Sequence, residues 1–91
     1  MSTTKVPVGH TAAVTLVEAS RRGVLAVENE STQVMYVLEG AGASVDLHTV
    51  SLMTGDYWES PLDADGNVYQ GKVTARLAEA DETGHAMVTV R

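Results

Sequence analysis

Residues 23–38 read Gly23-Val-Leu-Ala-Val-Glu-Asn-Glu-Ser-Thr-Gln-Val-Met-Tyr-Val-Leu38, two short apolar runs around a polar loop. The first run is continuous and flanked by Gly23 and Asn29. Its length alone would also allow part of a helix, but the flanking turn formers favour a strand buried on both faces. The second run alternates: Val34, Tyr36 and Leu38 share one side, Met35 and Val37 the other. Asn29-Glu30-Ser31-Thr32 supplies turn chemistry. Residues 23–28 and 33–38 are therefore expected to pair as a β-hairpin.

The same punctuation continues in both directions. Thr11–Glu18 is rich in β-branched residues, with Val14 and Leu16 on one parity, and reads as a strand. Val45, Leu47, Val50 and Leu52 read as another, whose phase changes near His48-Thr49 and so implies a bulge or bend. Met53-Thr54-Gly55-Asp56 is a turn, and Tyr57-Trp58 opens a short strand stopped by Pro61. Val68–Leu77 is the longest extended candidate, with Gly71 marking a bulge or a close backbone contact. His85–Arg91 is the closing strand. Six to eight short strands with turns between them predict an all-β fold, a small antiparallel sandwich or barrel. Residues 1–10 read as an N-terminal arm, either flexible or a strand-like extension, and residues 11–91 as one β domain.

The chain has 91 residues and no Cys, so no disulfide or thiolate-bound metal can reinforce a small core. Regular packing or association with copies of itself or a larger partner must serve instead. The formal charge is −6, with six Lys and Arg in all. A direct nucleic-acid binder carries a basic face, and the only basic cluster is Arg21-Arg22. No apolar run approaches a membrane span or a signal peptide, and the chain is expected to remain in the cytoplasm where it is made.

Chemical motifs are weak. Asp63-Ala-Asp-Gly-Asn67 places carboxylates at alternate positions, as a calcium loop would. An EF-hand would need Gly where Val68 stands and Glu where Thr74 stands, so a turn is the better reading. His10, His48 and His85 lack the short spacing of a zinc motif. No Ser occupies a G-x-S-x-G context. Gly40-Ala41-Gly42 lacks the strand-to-helix setting of a phosphate loop and reads as a loop needing positive φ. Asp81-Glu82 reads as a solvated hairpin tip. The sequence points away from an enzyme and implies no cofactor and no metal.

Tyr57 and Trp58 are half of the four aromatic residues. Neighbours in a strand point to opposite faces. One ring is expected in the Phe-less core and the other outside as a partner anchor, and the residues leave open which is which. Stacking on a sugar is a further use for the exposed ring.

Three segments together resemble small β-sandwich structural proteins of tailed bacteriophages and prophages, of the capsid decoration or cement type. Arg22-Gly-Val-Leu-Ala-Val-Glu-Asn29 with Val34-Met-Tyr-Val-Leu38 is similar to their R-x-x-L-x-I-x-N … V-Y-V segment. Ser51-Leu-Met-Thr-Gly-Asp-Tyr-Trp-Glu-Ser-Pro61 is similar to L-x-P-G-x-Y-x-E, with Thr54 in place of Pro. Val68-Tyr-Gln-Gly-Lys-Val-Thr-Ala-Arg76 is similar to Y-x-G-x-V-x-A. The resemblance spans residues 12–91. It implies a virion protein on the capsid surface, trimeric, whose partners are the major capsid protein and copies of itself, with no catalytic residue. A tail, fibre or connector component is the alternative within the same setting, and a carbohydrate-binding module the alternative outside it. On this reading Tyr57 and Trp58 are candidate partner contacts. So are Lys5, Val6, Pro7 and Val8 of the arm, which could add a strand to a neighbour's sheet edge.

Overall fold

A computed structural model describes residues 2–91; Met1, the first residue of the expected arm, lies outside the described residues. Eight strands form: β1 (Ser2–Pro7), β2 (Val14–Val17), β3 (Leu25–Glu30), β4 (Met35–Leu38), β5 (Val50–Leu52), β6 (Tyr57–Glu59), β7 (Val73–Leu77) and β8 (His85–Val90). They make two four-stranded antiparallel sheets, ordered β1-β8-β3-β6 and β2-β7-β4-β5. The all-β fold expected from the turn spacing forms, and of the sandwich and the barrel it is the sandwich. Among the described residues no helix is long and apolar enough to cross a membrane.

The core lies between the sheets. Leu25, Val27, Ala86 and Val88 enter it from one side, and Met35, Val37, Val73, Ala75 and Leu77 from the other. Strand parity accounts for this layer: Met35 and Val37 are fully buried while Tyr36 and Leu38, of opposite parity, are half-buried. Partly buried Val6, Val14, Val17, Val50, Trp58, Tyr69 and Val90 surround the centre.

The expected hairpin of residues 23–28 with 33–38 does not form. β3 pairs with β8 and β6, whereas β4 pairs with β7 and β5. Asn29 redirects the chain. Its side chain is fully buried, and Nδ2 donates to the carbonyls of Gln33 (2.8 Å) and Leu52 (2.9 Å). Its Oδ1 accepts from the Ser31 N–H (3.0 Å) and hydroxyl (2.7 Å). The turn after β3 is thereby drawn across the end of the core into the opposite sheet. Every connection crosses between the sheets except β4–β5.

Three further expectations are corrected. The strand over 45–52 is only β5, because Ser44 and Leu47 exchange backbone hydrogen bonds and turn residues 44–47 into a loop. The long strand over 68–77 is only β7. Residues 68–71 find partners in the β2–β3 connection instead: the Ser20 N–H donates to the Gln70 carbonyl, and Arg22 Nη2 donates to the Gly71 carbonyl. Asp81 is not a free hairpin tip. Its carboxylate accepts from the Thr32 N–H (2.7 Å) and hydroxyl (2.9 Å), which ties the β3–β4 connection to the β7–β8 connection and lowers the Asp81 pKa.

Of the two readings of residues 1–10, the strand-like extension is found over the described part. β1 pairs along its whole length with β8, and Val8 is buried in the core. A flexible arm separate from the domain is therefore not what residues 2–8 make. Val6 and Val8 share the inward parity, and Val6 adds to the apolar burial.

Candidate functional site

β6 is an edge strand, hydrogen-bonded only to β3. The turn before it is built by its own residues: the Met53 N–H donates to Asp56 Oδ2 (2.9 Å) and the Asp56 N–H to the Met53 carbonyl (2.9 Å). Gly55 takes φ 81° there, which explains its place in the sequence. The Asn29 N–H then donates to the Asp56 carbonyl (2.9 Å) and sets the phase of the β3–β6 ladder. In that phase Trp58 lies opposite Val27 and packs against the core, while Tyr57 lies opposite Glu28 on the outer face and is 62% exposed. Trp58 is the core ring and Tyr57 the outward one. The Tyr57 hydroxyl donates to Glu59 Oε2 (3.3 Å), and its pKa is raised by residual desolvation and then by the Glu59 charge.

This division has a measurable consequence. Trp58→Ala is expected to cost about 2 kcal/mol in chemical denaturation, because it removes a half-buried ring from the edge of the core. Tyr57→Ala is expected to stay within about 0.5 kcal/mol. Equal costs for the two would contradict the assignment of inward and outward rings.

The exposed large apolar side chains are Val45, Leu47, Met53, Tyr57 and Leu62. All fall between residues 45 and 62, the part of the chain that carries β5 and β6. Charge is segregated in the same place. No Lys or Arg occurs between Arg22 and Lys72, whereas Glu28, Glu30, Glu39, Asp46, Asp56, Glu59, Asp63 and Asp65 all do. This stretch of chain is therefore apolar and acidic together. The sequence holds the signal as an uninterrupted run without positive charge; the fold brings Arg76 beside Val45 and Asp46, and the Arg91 charge close to Tyr57.

On the opposite edge of the same sheet, Lys5 and Pro7 are exposed on β1 and Val6 is half-buried. Val8 is 3% exposed and serves its own core, so it presents no surface to a partner. The candidate contacts thus fall on two edges that do not meet within one molecule.

The other chemical motifs resolve into local structure. Asp63 Oδ1 accepts from the N–H groups of Asp65 (2.9 Å) and Asn67 (3.0 Å), and Gly66 has φ 80°, as a tight turn requires. Gly42 has φ 86° in the loop after β4. The histidines have separate partners. His85 Nε2 lies 2.7 Å from Glu30 Oε1, the His48 ring packs on Tyr36 with centroids 5.0 Å apart, and the His10 carbonyl accepts from Arg76 Nε (2.9 Å). Among the described residues no group of His, Asp or Glu converges as a metal site.

A cleft of about 400 Å³ lies over the outer face of the second sheet, lined by His10, Tyr36, Asp46, Arg76 and Glu79 among others. It draws on four separate stretches of chain, so sequence spacing gave no sign of it. Its cationic and anionic groups are mixed. Arg22 and Asn29, two polar positions of the segment that resembles the phage proteins, are buried and bound to backbone carbonyls. In comparisons with known proteins, no family model, no curated protein and no solved structure matches the chain.

Proposed function

We propose that this chain is a non-enzymatic virion structural protein, a decoration protein that binds the outer surface of a capsid lattice. The observation that carries the reading is the confinement of the exposed large apolar residues to 45–62 of the chain, a stretch whose own charged side chains are all acidic. An apolar centre with charge around it is what a protein-binding surface needs. The resemblance of 22–38, 51–61 and 68–76 to phage structural proteins supplies the setting. A small domain without disulfides gains stability when a lattice binds only its native state. The major capsid protein and other copies of this chain are the partners in this reading.

Quantitative mass spectrometry of purified virions tests it. The chain should be present at a copy number comparable to that of the major capsid protein. Absence from virions would sink the proposal, and a few copies per particle would place the chain in the tail, a fibre or a connector. A carbohydrate-binding role is the second reading, favoured by the exposed ring of Tyr57. It requires that Tyr57→Ala abolish glycan binding in a fold that is otherwise intact.

A further inference from the structure

We propose that copies of this chain join head to tail by pairing the β6 edge of one molecule with the β1 edge of the next. Lys5 then lies opposite Glu59 and Pro7 opposite Tyr57. The inference deepens the self-association part of the reading above and rests on it only for its biological setting.

The free backbone groups of the two edges match. Asn29 donates to the Asp56 carbonyl and Ser60 to the Leu25 carbonyl, so the bonded pairs of the β3–β6 ladder are 29–56, 27–58 and 25–60. Antiparallel ladders alternate, and the N–H and C=O groups of Tyr57 and Glu59 therefore point away from β3. On β1 the Val8 N–H donates to the Gly84 carbonyl (3.2 Å), which puts Val8, Val6 and Thr4 in the bonded phase with β8. Thr3, Lys5 and Pro7 then turn their backbone groups outward.

Strand direction matches as well. Three successive antiparallel pairings separate β1 from β6, so the two strands run in opposite directions in one molecule. A second copy in the same orientation thus offers its β1 antiparallel to β6. Glu59 and Lys5 exchange two hydrogen bonds, and the Tyr57 N–H donates to the Pro7 carbonyl. Pro7 has no N–H to return. In this register Val6 lies opposite Trp58. Both are partly buried at the rim of the core, so the two cores become continuous across the contact.

Charge chooses this arrangement over the symmetric ones. Lys and Pro on an edge strand ordinarily discourage pairing. Here Lys5 opposes a second Lys5 when β1 meets β1, and meets a carboxylate only at β6. A β6–β6 contact gathers two copies each of Glu59 and Glu28. Opposite charges directly across a ladder stabilise it, and like charges destabilise it. The resulting interface is heterologous and generates a ring or a filament according to whether its rotation closes.

Zero-length carbodiimide coupling of the purified chain at millimolar concentration tests the contact. Within one molecule β1 and β6 are three strand spacings apart, about 14 Å. A Lys5–Glu59 amide can therefore form only between copies. The expected result is that cross-linked peptide, together with an average mass in sedimentation velocity that rises with concentration. K5E alone and E59K alone should each associate about tenfold more weakly. An equimolar mixture of the two should recover association, because each supplies the edge the other needs. Glu59→Gln, at an exposed position, checks that loss of pairing is not loss of folding. A chain that stays monomeric throughout, a dimer cross-linked through other residues, or single variants that associate as wild type would overturn the proposal. Virion content is measured separately, so failure here and failure of the capsid reading are distinguishable.

Discussion

Replacing Asn29 by Ala is expected to remove about 3–4 kcal/mol of stability, the cost of leaving several buried polar groups without partners. A domain of this size holds roughly 5–14 kcal/mol in all. At the low end of that range the variant would be close to unfolding at physiological temperature. The reason is geometric. Asn29 is fully buried, yet all of its side-chain hydrogen-bonding capacity is used, by Gln33 and Leu52 as acceptors and by Ser31 as donor. Removing the amide takes that donor from the Leu52 carbonyl and the acceptor from the Ser31 N–H, leaves the Gln33 carbonyl with the Ser31 hydroxyl alone, and cuts the link from β3 to the turn entering β4 and to the end of β5. Asn29→Asp is the sharper variant. A carboxylate cannot donate to those carbonyls, and burial opposes its charge. Its folded-state pKa would then lie above the unfolded value, and part of the lost stability should return as pH falls through the folded-state pKa towards the unfolded one. The Ala variant should show no such recovery. Urea denaturation of both variants across pH is the check. A loss below about 1 kcal/mol for Asn29→Ala would mean that the turn re-forms its bonds without the side chain.

Asn29 also explains why the fold class was legible and the pairing was not. Burial parity follows from side-chain alternation, which is local. Residues 33–38 and 73–77 state it directly, and Met35, Val37, Val73, Ala75 and Leu77 are where alternation puts them. Strand pairing depends on where each turn sends the chain. A hairpin and a crossover bury the same face of β3 and β4, so hydrophobicity cannot separate them. The decision lies with one amide reaching Gln33 and Leu52, and Leu52 is 23 positions away. Val45 and Leu47 misled for a related reason. Their alternation imitates a strand, but the loop closed by Ser44 and Leu47 leaves both side chains in solvent.

The site was half legible. That Tyr57 and Trp58 take opposite faces follows from their being strand neighbours. Which ring goes inward depends on ladder phase, and that phase is set by the bond from the Asn29 N–H to Asp56. The N-terminal residues carried the same ambiguity. Val6 and Val8 could have lined a free arm or an inward face, and pairing with β8 makes them the latter. The cleft bounded by His10, Tyr36, Asp46, Arg76 and Glu79 was hidden altogether, because only the sandwich brings those stretches together.

Arg22→Ala is the second large effect, with an expected loss of about 3 kcal/mol from broken bonds between a charged donor and backbone carbonyls. The guanidinium is 8% exposed. Nη1 donates to the Glu18 carbonyl (3.2 Å) and the Ser20 hydroxyl (3.0 Å), and Nη2 to the Gly71 carbonyl. The main chain joins in, with the Arg22 N–H donating to Gln70 Oε1 (2.8 Å) and Gln70 Nε2 to the Arg22 carbonyl (2.7 Å). Burial lowers the Arg22 pKa, opposed by Tyr69 and Glu39, and a guanidinium remains charged through such a shift. Nε has no acceptor among the described residues, so part of the desolvation cost is uncompensated. Arg22→Lys should recover only part of the loss, because a single ammonium cannot span acceptors on both sides of the network. Hydrogen exchange gives the regional signature. Amides of 20–24 and 68–71 should lose protection first, while the β4–β5 pair keeps its own. Arg21→Ala, at the exposed neighbour, should change stability by less than about 0.5 kcal/mol and leave that pattern untouched. Uniform loss of protection in Arg22→Ala would show that this network is no separate unit, and that the β2–β3 connection and residues 68–71 open only with the whole sandwich.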